Sequence, residues 1–190
     1  MKMKNQLYYE ITVAGCVRHL PICPLNDELS IAGFVIIGDP ELTQRCAEEL
    51  LKKAPEYDYI LTAESKGIPL AHEMARLNGD KRYFVARKAT KLYMANVVDV
   101  TVRSITTDHL QHLYIDGADA EQMKGKRVLI VDDVISTGES LRALECLADQ
   151  IGANICGKMT ILAEGDAADR KDIVYIEKLP LFTPEGQPID

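Results

Sequence analysis

VLIVDDVISTGES, residues 128–140, decides the reading of this chain. Four apolar residues, Val128 to Val131, run into two adjacent acids, Asp132 and Asp133. A Ser136-Thr137-Gly138 turn follows, then Glu139 and Ser140. An unbroken apolar run is what a strand carries when both its faces are covered, which happens in parallel sheets flanked by helices. Beyond the turn, ESLRALECLADQIG (139–152) places Leu141, Leu144, Leu147 and Ile151 on one helical stripe and stops at Gly152. NICGKMTILA (154–163) then returns to strand. Strand, turn, helix and strand make a parallel βαβ unit.

The same alternation precedes it. YDYILTA (57–63) and KRYFVAR (81–87) read as strands around a helix, IPLAHEMARLNG (68–79), and LTQRCAEELLKKA (42–54) reads as a further helix. Two regions break the rhythm. Between residues 88 and 116, VVDVTVRSI and HLQHLYID alternate with period two and are expected to form an antiparallel pair. The first 40 residues hold short strands and prolines (Pro21, Pro24, Pro40) and read as a cap over the sheet. The expected organisation is one α/β domain over 1–190: a hood at 1–40, a core at 41–176 and a tail at 177–190. Its mostly parallel twisted sheet has helices on both faces. Leu179, Leu181 and Phe182 are expected to pack the tail down.

The bulk numbers narrow the partners. With 190 residues, 47% hydrophobic and 27% charged, the composition is that of an ordinary globular chain. A net charge of −7 argues against nucleic acid as the main ligand. The five cysteines include no C-x-x-C pair and cannot all pair with each other, so free thiols in a reducing cytoplasm are expected. No leader-like apolar segment or membrane-length run is visible, and no membrane partner is expected.

In an open parallel sheet ligands bind beyond the carboxyl ends of the strands, where Asp132 and Asp133 stand. A tight turn opening a helix gathers backbone N–H groups into an anion site. Gly138 leaves room for a phosphate, while Ser136, Thr137 and Ser140 add hydroxyl donors. The acids suit sugar hydroxyls or a metal ion. S-T-G alone is also what a capped helix start carries. With the acid pair before it, the stretch reads as a sugar-phosphate site.

These residues resemble the donor-binding motif of the type I phosphoribosyltransferases, whose donor is 5-phosphoribosyl 1-pyrophosphate (PRPP). AESKG (63–67) is similar to E-S-R-G of the adenine enzymes and E-S-S-G of the xanthine enzymes. ARKATKLYM (86–94) resembles the adenine enzymes' R-K-x-x-K-L, and FVIIGDPELTQR (34–45) their D-P segment. The resemblance implies the type I phosphoribosyltransferase fold with an N-terminal hood and a flexible antiparallel β-loop. It implies transfer of the 5-phosphoribosyl group to a purine base with Mg²⁺, in a homodimer. Adenine is favoured as acceptor, xanthine or another oxopurine comes next, and a PRPP-binding regulator with little catalysis is the third reading.

By the same resemblance, Asp132 and Asp133 would hold the ribose hydroxyls, with no direct metal ligation by the protein. Ser136, Thr137, Gly138, Glu139 and Ser140 would wrap the 5′-phosphate. Ser65, Lys66, Gly67, Arg87 and Lys88 would meet pyrophosphate, with Lys88 and Lys91 as catalytic cations at the base of the loop. Lys66 stands where the adenine enzymes carry Arg. Counted back from Asp39-Pro40, the hood places Ser30 and Ile31 where adenine enzymes carry an aromatic residue and an Arg. Val35 stands near the polar hood residue of the xanthine group. Asp108 is the one acid near the expected loop tip, SITTD (104–108). His109 and His112, three apart on an expected strand, point to opposite faces and make a poor metal pair.

Overall fold

A computed structural model describes residues 6–103 and 110–189. The chain enters through three antiparallel strands, β1 (Tyr8–Val13), β2 (Cys16–Pro24) and β3 (Ser30–Ala32). Helix α1 (Pro40–Leu51) starts at Asp39, whose side chain accepts from Leu42 N–H at 3.1 Å, with proline at the first helical position. Arg18 on β2 grips the same carboxylate with Nε at 2.6 Å and Nη2 at 3.0 Å, so the hood is pinned to the first turn of the core.

The core alternates as expected: β4 (Tyr59–Ala63), α2 (Ile68–Asn78) and β5 (Phe84–Ala86). A hairpin follows, β6 (Val98–Arg103) with β7 (Leu110–Ile115), then a short helix α3 (Gly117–Met123). The chain continues through β8 (Arg127–Ile135), α4 (Glu139–Ile151), β9 (Asn154–Glu164) and β10 (Val174–Leu179). All pairings in the sheet order β10-β9-β8-β4-β5 are parallel. The chain leaves β4 toward one edge and returns at β8 on its other side. The crevice at their carboxyl ends is therefore the topological switch point where α/β sheets bind ligands.

Two half-cores cover the sheet. Leu129 and Val131 of β8 face α1, α2 and the hood, while Val128 and Ile130 face α4, α3 and the hairpin. The apolar run of β8 is thus buried on both sides. Each such Leu or Ile contributes roughly 1.5–3 kcal/mol of transfer free energy.

The tail differs from expectation. The boundary drawn at 176/177 falls inside β10, the edge strand of the core sheet. Beyond it β11 (Leu181–Phe182) and β12 (Pro188–Ile189) join the hood, in the order β1-β2-β3-β11-β12. Two-residue strands carry no readable period, so only the buried Phe182 betrays this pairing. Helix α3, at seven residues, was also too short to read; Asp116 caps it by accepting from Ala118 N–H at 3.0 Å.

Candidate active site

The acids close β8. Alternation continues the face of Leu129 and Val131 to Asp133, which is 3% exposed and turned toward the hood side. Lys66 Nζ stands 3.0 Å from Asp133 Oδ2. The approach is an ion pair without hydrogen-bond geometry, and that oxygen has no hydrogen-bond partner among the described residues. Lys66 also donates to the Phe34 carbonyl at 3.4 Å, so one side chain spans hood and acid pair. Asp132 Oδ1 accepts from Asp133 N–H at 2.9 Å. Burial first, and the neighbouring Asp133 charge second, push the Asp132 carboxyl well above the ordinary carboxylate range.

The turn after β8 opens α4. Gly138, at φ +80°, is the N-cap and provides no side-chain cap. A helix start carries partial positive charge and suits an anion beside it. Asp132, Ser136, Thr137, Gly138, Glu139 and Ser140 line one cavity of about 150 Å³. Gln111 of β7 lines it as well and donates to Ser140 Oγ at 3.2 Å.

The loop after β4 comes up against the two acids. Its Glu64–Ser65 peptide is cis. Ser65 and Lys66 are exposed and Gly67 is buried. A Cβ on Gly67 would collide with Thr62 Oγ1 and stand 3.0 Å from Asp132 Oδ1, so only glycine lets this loop close on the acid. Thr62 Oγ1 is itself buried with no partner among the described residues. Glu64 accepts from Lys88 N–H at 3.0 Å, and Arg87 Nη2 lies 3.7 Å from it. That N–H, then the charges of Arg87, Lys91 and Lys88, hold its carboxyl below the ordinary range. Arg87 Nε is buried with no acceptor among the described residues. Lys88 is exposed and Lys91 half-buried.

The hood candidates do not join this cluster. Ser30 is buried between its pairing partners Pro24 and Phe182, and Ile31 is half-buried. Val35 is exposed and borders a groove with Arg18, Pro21 and Asp39, apart from the Asp132 cavity. The hood contact that does reach the acids is the Phe34 carbonyl, and a backbone group leaves no trace in sequence. His112 Nδ1 lies 2.9 Å from Thr101 Oγ1 across the hairpin, while His109 and Asp108 fall outside the described residues.

Sequence reasoning also passed over Glu164. It is 9% exposed at the carboxyl end of β9, where the strand-end rule could have flagged it. Burial raises its carboxyl, opposed by the Ser136 hydroxyl and the Lys66 charge. Arg170 is a second omission. Asp172 holds its Nε at 3.0 Å and Nη2 at 2.7 Å, and Nη1 rests 2.6 Å from where a Gly138 Cβ would stand.

Comparison with known proteins gives the following. Residues 40–179 match the model of the phosphoribosyl transferase domain. The adenine phosphoribosyltransferase of Acetivibrio thermocellus is 31% identical over 144 residues, covering 74% of this chain and 81% of that one. The hypoxanthine/guanine phosphoribosyltransferase of Methanotorris igneus is 33% identical over 138 residues, covering 72% and 71%. Among solved structures, adenine phosphoribosyltransferase from Thermoanaerobacter pseudethanolicus superposes with a TM-score of 0.66. At 19% identity it covers 90% of this chain and 95% of that one, a likeness of fold.

Proposed function

The chain belongs to the phosphoribosyl transferase family, and we propose that it transfers the 5-phosphoribosyl group of PRPP to a purine base, releasing pyrophosphate. One observation carries this reading: Asp132 and the start of α4, whose N-cap Gly138 gives no side-chain cap, line one cavity at the switch point of the sheet, with the buried Asp133 next to Asp132 in the chain. The Ser136–Ser140 turn takes the 5′-phosphate, and Asp132 and Asp133 take the ribose hydroxyls. A sugar hydroxyl gives Asp133 Oδ2 the hydrogen bond that it lacks among the described residues. Ser65, Lys66 and Gly67 face the pyrophosphate, with Arg87, Lys88 and Lys91 beyond them, and the base lies under the hood.

In the reaction the bond from C1′ to the pyrophosphate oxygen breaks and its electron pair leaves with pyrophosphate. A ring nitrogen of the base forms the new bond to C1′ and gives up its proton. Positive charge gathers on the sugar ring in between, and two carboxylates beneath it stabilise that charge. Lys88 and Lys91 meet the negative charge of the leaving group.

The two acids offer hard oxygens, one of them without a hydrogen-bond partner. No group of three or more metal-ligating side chains occurs among the described residues. This donor set suits an ion that keeps its waters and is carried by substrate phosphates. Asp132 and Asp133 would border a Mg²⁺ ion carried by the substrate, and the ion would supply charge neutralisation to the leaving group.

Adenine is the favoured acceptor, on the R-K-x-x-K-L-like and D-P segments and the Acetivibrio relative. The similarity to hypoxanthine/guanine enzymes keeps oxopurines as the second reading. A homodimer follows from the family resemblance. The five unpaired cysteines fit a cytoplasmic setting. No helix among the described residues is long and apolar enough to cross a membrane.

The test is a panel of adenine, hypoxanthine, guanine and xanthine with PRPP and Mg²⁺, read by nucleoside monophosphate formation. Turnover is expected, with adenine giving the highest kcat/KM. PRPP binding without turnover on any purine would overturn the enzyme reading in favour of a regulator. Turnover on oxopurines alone would overturn the adenine preference.

A further inference from the structure

We propose that Gln111 is a positioning residue of the donor site, fixing the Ser140 hydroxyl as a hydrogen-bond donor to the 5′-phosphate. The proposal rests on the phosphoribosyl-transfer reading and adds a residue from a different part of the fold.

Period-two alternation places Gln111 on the same face of β7 as Leu113 and Ile115. Both are buried against the α4 half-core, as are Val100 and Val102 on the paired strand β6, where Val102 faces Gln111. Among the described residues Gln111 is thus the one polar residue on an otherwise apolar stripe. A polar residue at a core-facing position needs a reason. Here the stripe runs past the start of α4 and onto the phosphate turn, where Gln111 lines the cavity with Ser136 to Ser140.

The hydrogen bond has a direction. The Gln111 amide donates through Nε2 to Ser140 Oγ. A hydroxyl has one hydrogen and two lone pairs, so accepting from Gln111 leaves the Ser140 hydrogen free to point elsewhere. Turned into this cavity at the start of α4, that hydrogen meets an oxygen of the phosphate proposed to bind there. Accepting one hydrogen bond also strengthens the hydroxyl as a donor in the next. A half-buried glutamine that merely packed would need neither the cavity position nor the serine.

Two variants and two product-side probes test this. Gln111→Met keeps length and removes the donor. Gln111→Glu replaces the donor with an acceptor, which turns the Ser140 hydrogen toward itself and adds negative charge. For Gln111→Met, the KM for PRPP and the inhibition constant of ribose 5-phosphate are expected to rise together by about 3- to 10-fold, the size of one neutral hydrogen bond. Gln111→Glu is expected to raise both by a larger factor. The inhibition constant of pyrophosphate, which lacks the 5′-phosphate, is expected to stay unchanged, as is the melting temperature of Gln111→Glu. Wild-type values for ribose 5-phosphate in both variants, or an equal loss for pyrophosphate, would overturn the proposal. A wild-type protein that neither turns over nor binds ribose 5-phosphate would instead overturn the reading beneath it.

Discussion

Asp132 carries two costs at once: removal from water and an adjacent like charge. Its carboxyl is raised above the ordinary aspartate value near 3.8, so the folded protein holds that proton more tightly than the unfolded chain does. By linkage, its contribution to stability is best at low pH and falls as pH rises from the ordinary value to the raised one. Asp132→Asn removes the titration while keeping an oxygen for Asp133 N–H. The variant is expected to melt higher than wild type at neutral pH, with the gap closing below about pH 4. The same change is expected to weaken PRPP binding by roughly 10- to 100-fold, the size of a lost hydrogen bond to a charged group. Thermal melts across pH and a donor titration check both halves. A variant that melts lower at pH 7 would refute the burial argument, and unchanged donor affinity would refute the ligand role. Such a trade of stability for function is common where a site must hold charge out of water.

At the scale of elements, what could be read from sequence follows the length of each signal. β8 and α4 announce themselves because nine and thirteen residues repeat one pattern. The Ser136–Ser140 turn between them was legible as a strand-to-helix junction for the same reason, since both elements define it. The hairpin was legible as alternation, and its stripe held the clue to Gln111, visible once Val100, Val102, Leu113 and Ile115 are set side by side. Glu164 lay within reach of the strand-end rule, but Thr62 and Phe34 were not legible, because their places depend on which loops lie together and on a carbonyl that every residue possesses. The hairpin's attachment to α4 is a packing claim, and Leu113 is its fully buried centre. Leu113→Ala is expected to cost about 2–5 kcal/mol. A shifted urea midpoint at unchanged slope measures it. A loss under 1 kcal/mol would mean that the hairpin rides loosely on the helix.

At the scale of the whole molecule, the hood is assembled from both ends of the chain. β3 lies between β2 and β11, and Phe182 of β11 pairs with Ser30. Phe182 is fully buried, its ring edge-on to Tyr9 with centroids 5.0 Å apart. It belongs to the half-core of α1 and α2, while the start of the phosphate-side helix, Leu141, belongs to the other. The hood touches the acids through the Phe34 carbonyl on Lys66. The hood and the Ser136–Ser140 turn thus pack in different half-cores, while Asp133 and Lys66 stand on the hood side, and one substitution tests whether the proposed acceptor end responds apart from the 5′-phosphate end. Phe182→Ala is expected to lower stability by about 3–5 kcal/mol. At a temperature where the variant stays folded, KM for the base should rise while the inhibition constant of ribose 5-phosphate holds, because the turn proposed to hold the 5′-phosphate leads into a helix packed in the other half-core. If both constants rose by the same factor, the two half-cores would act as one body, and base recognition would not belong to the hood alone.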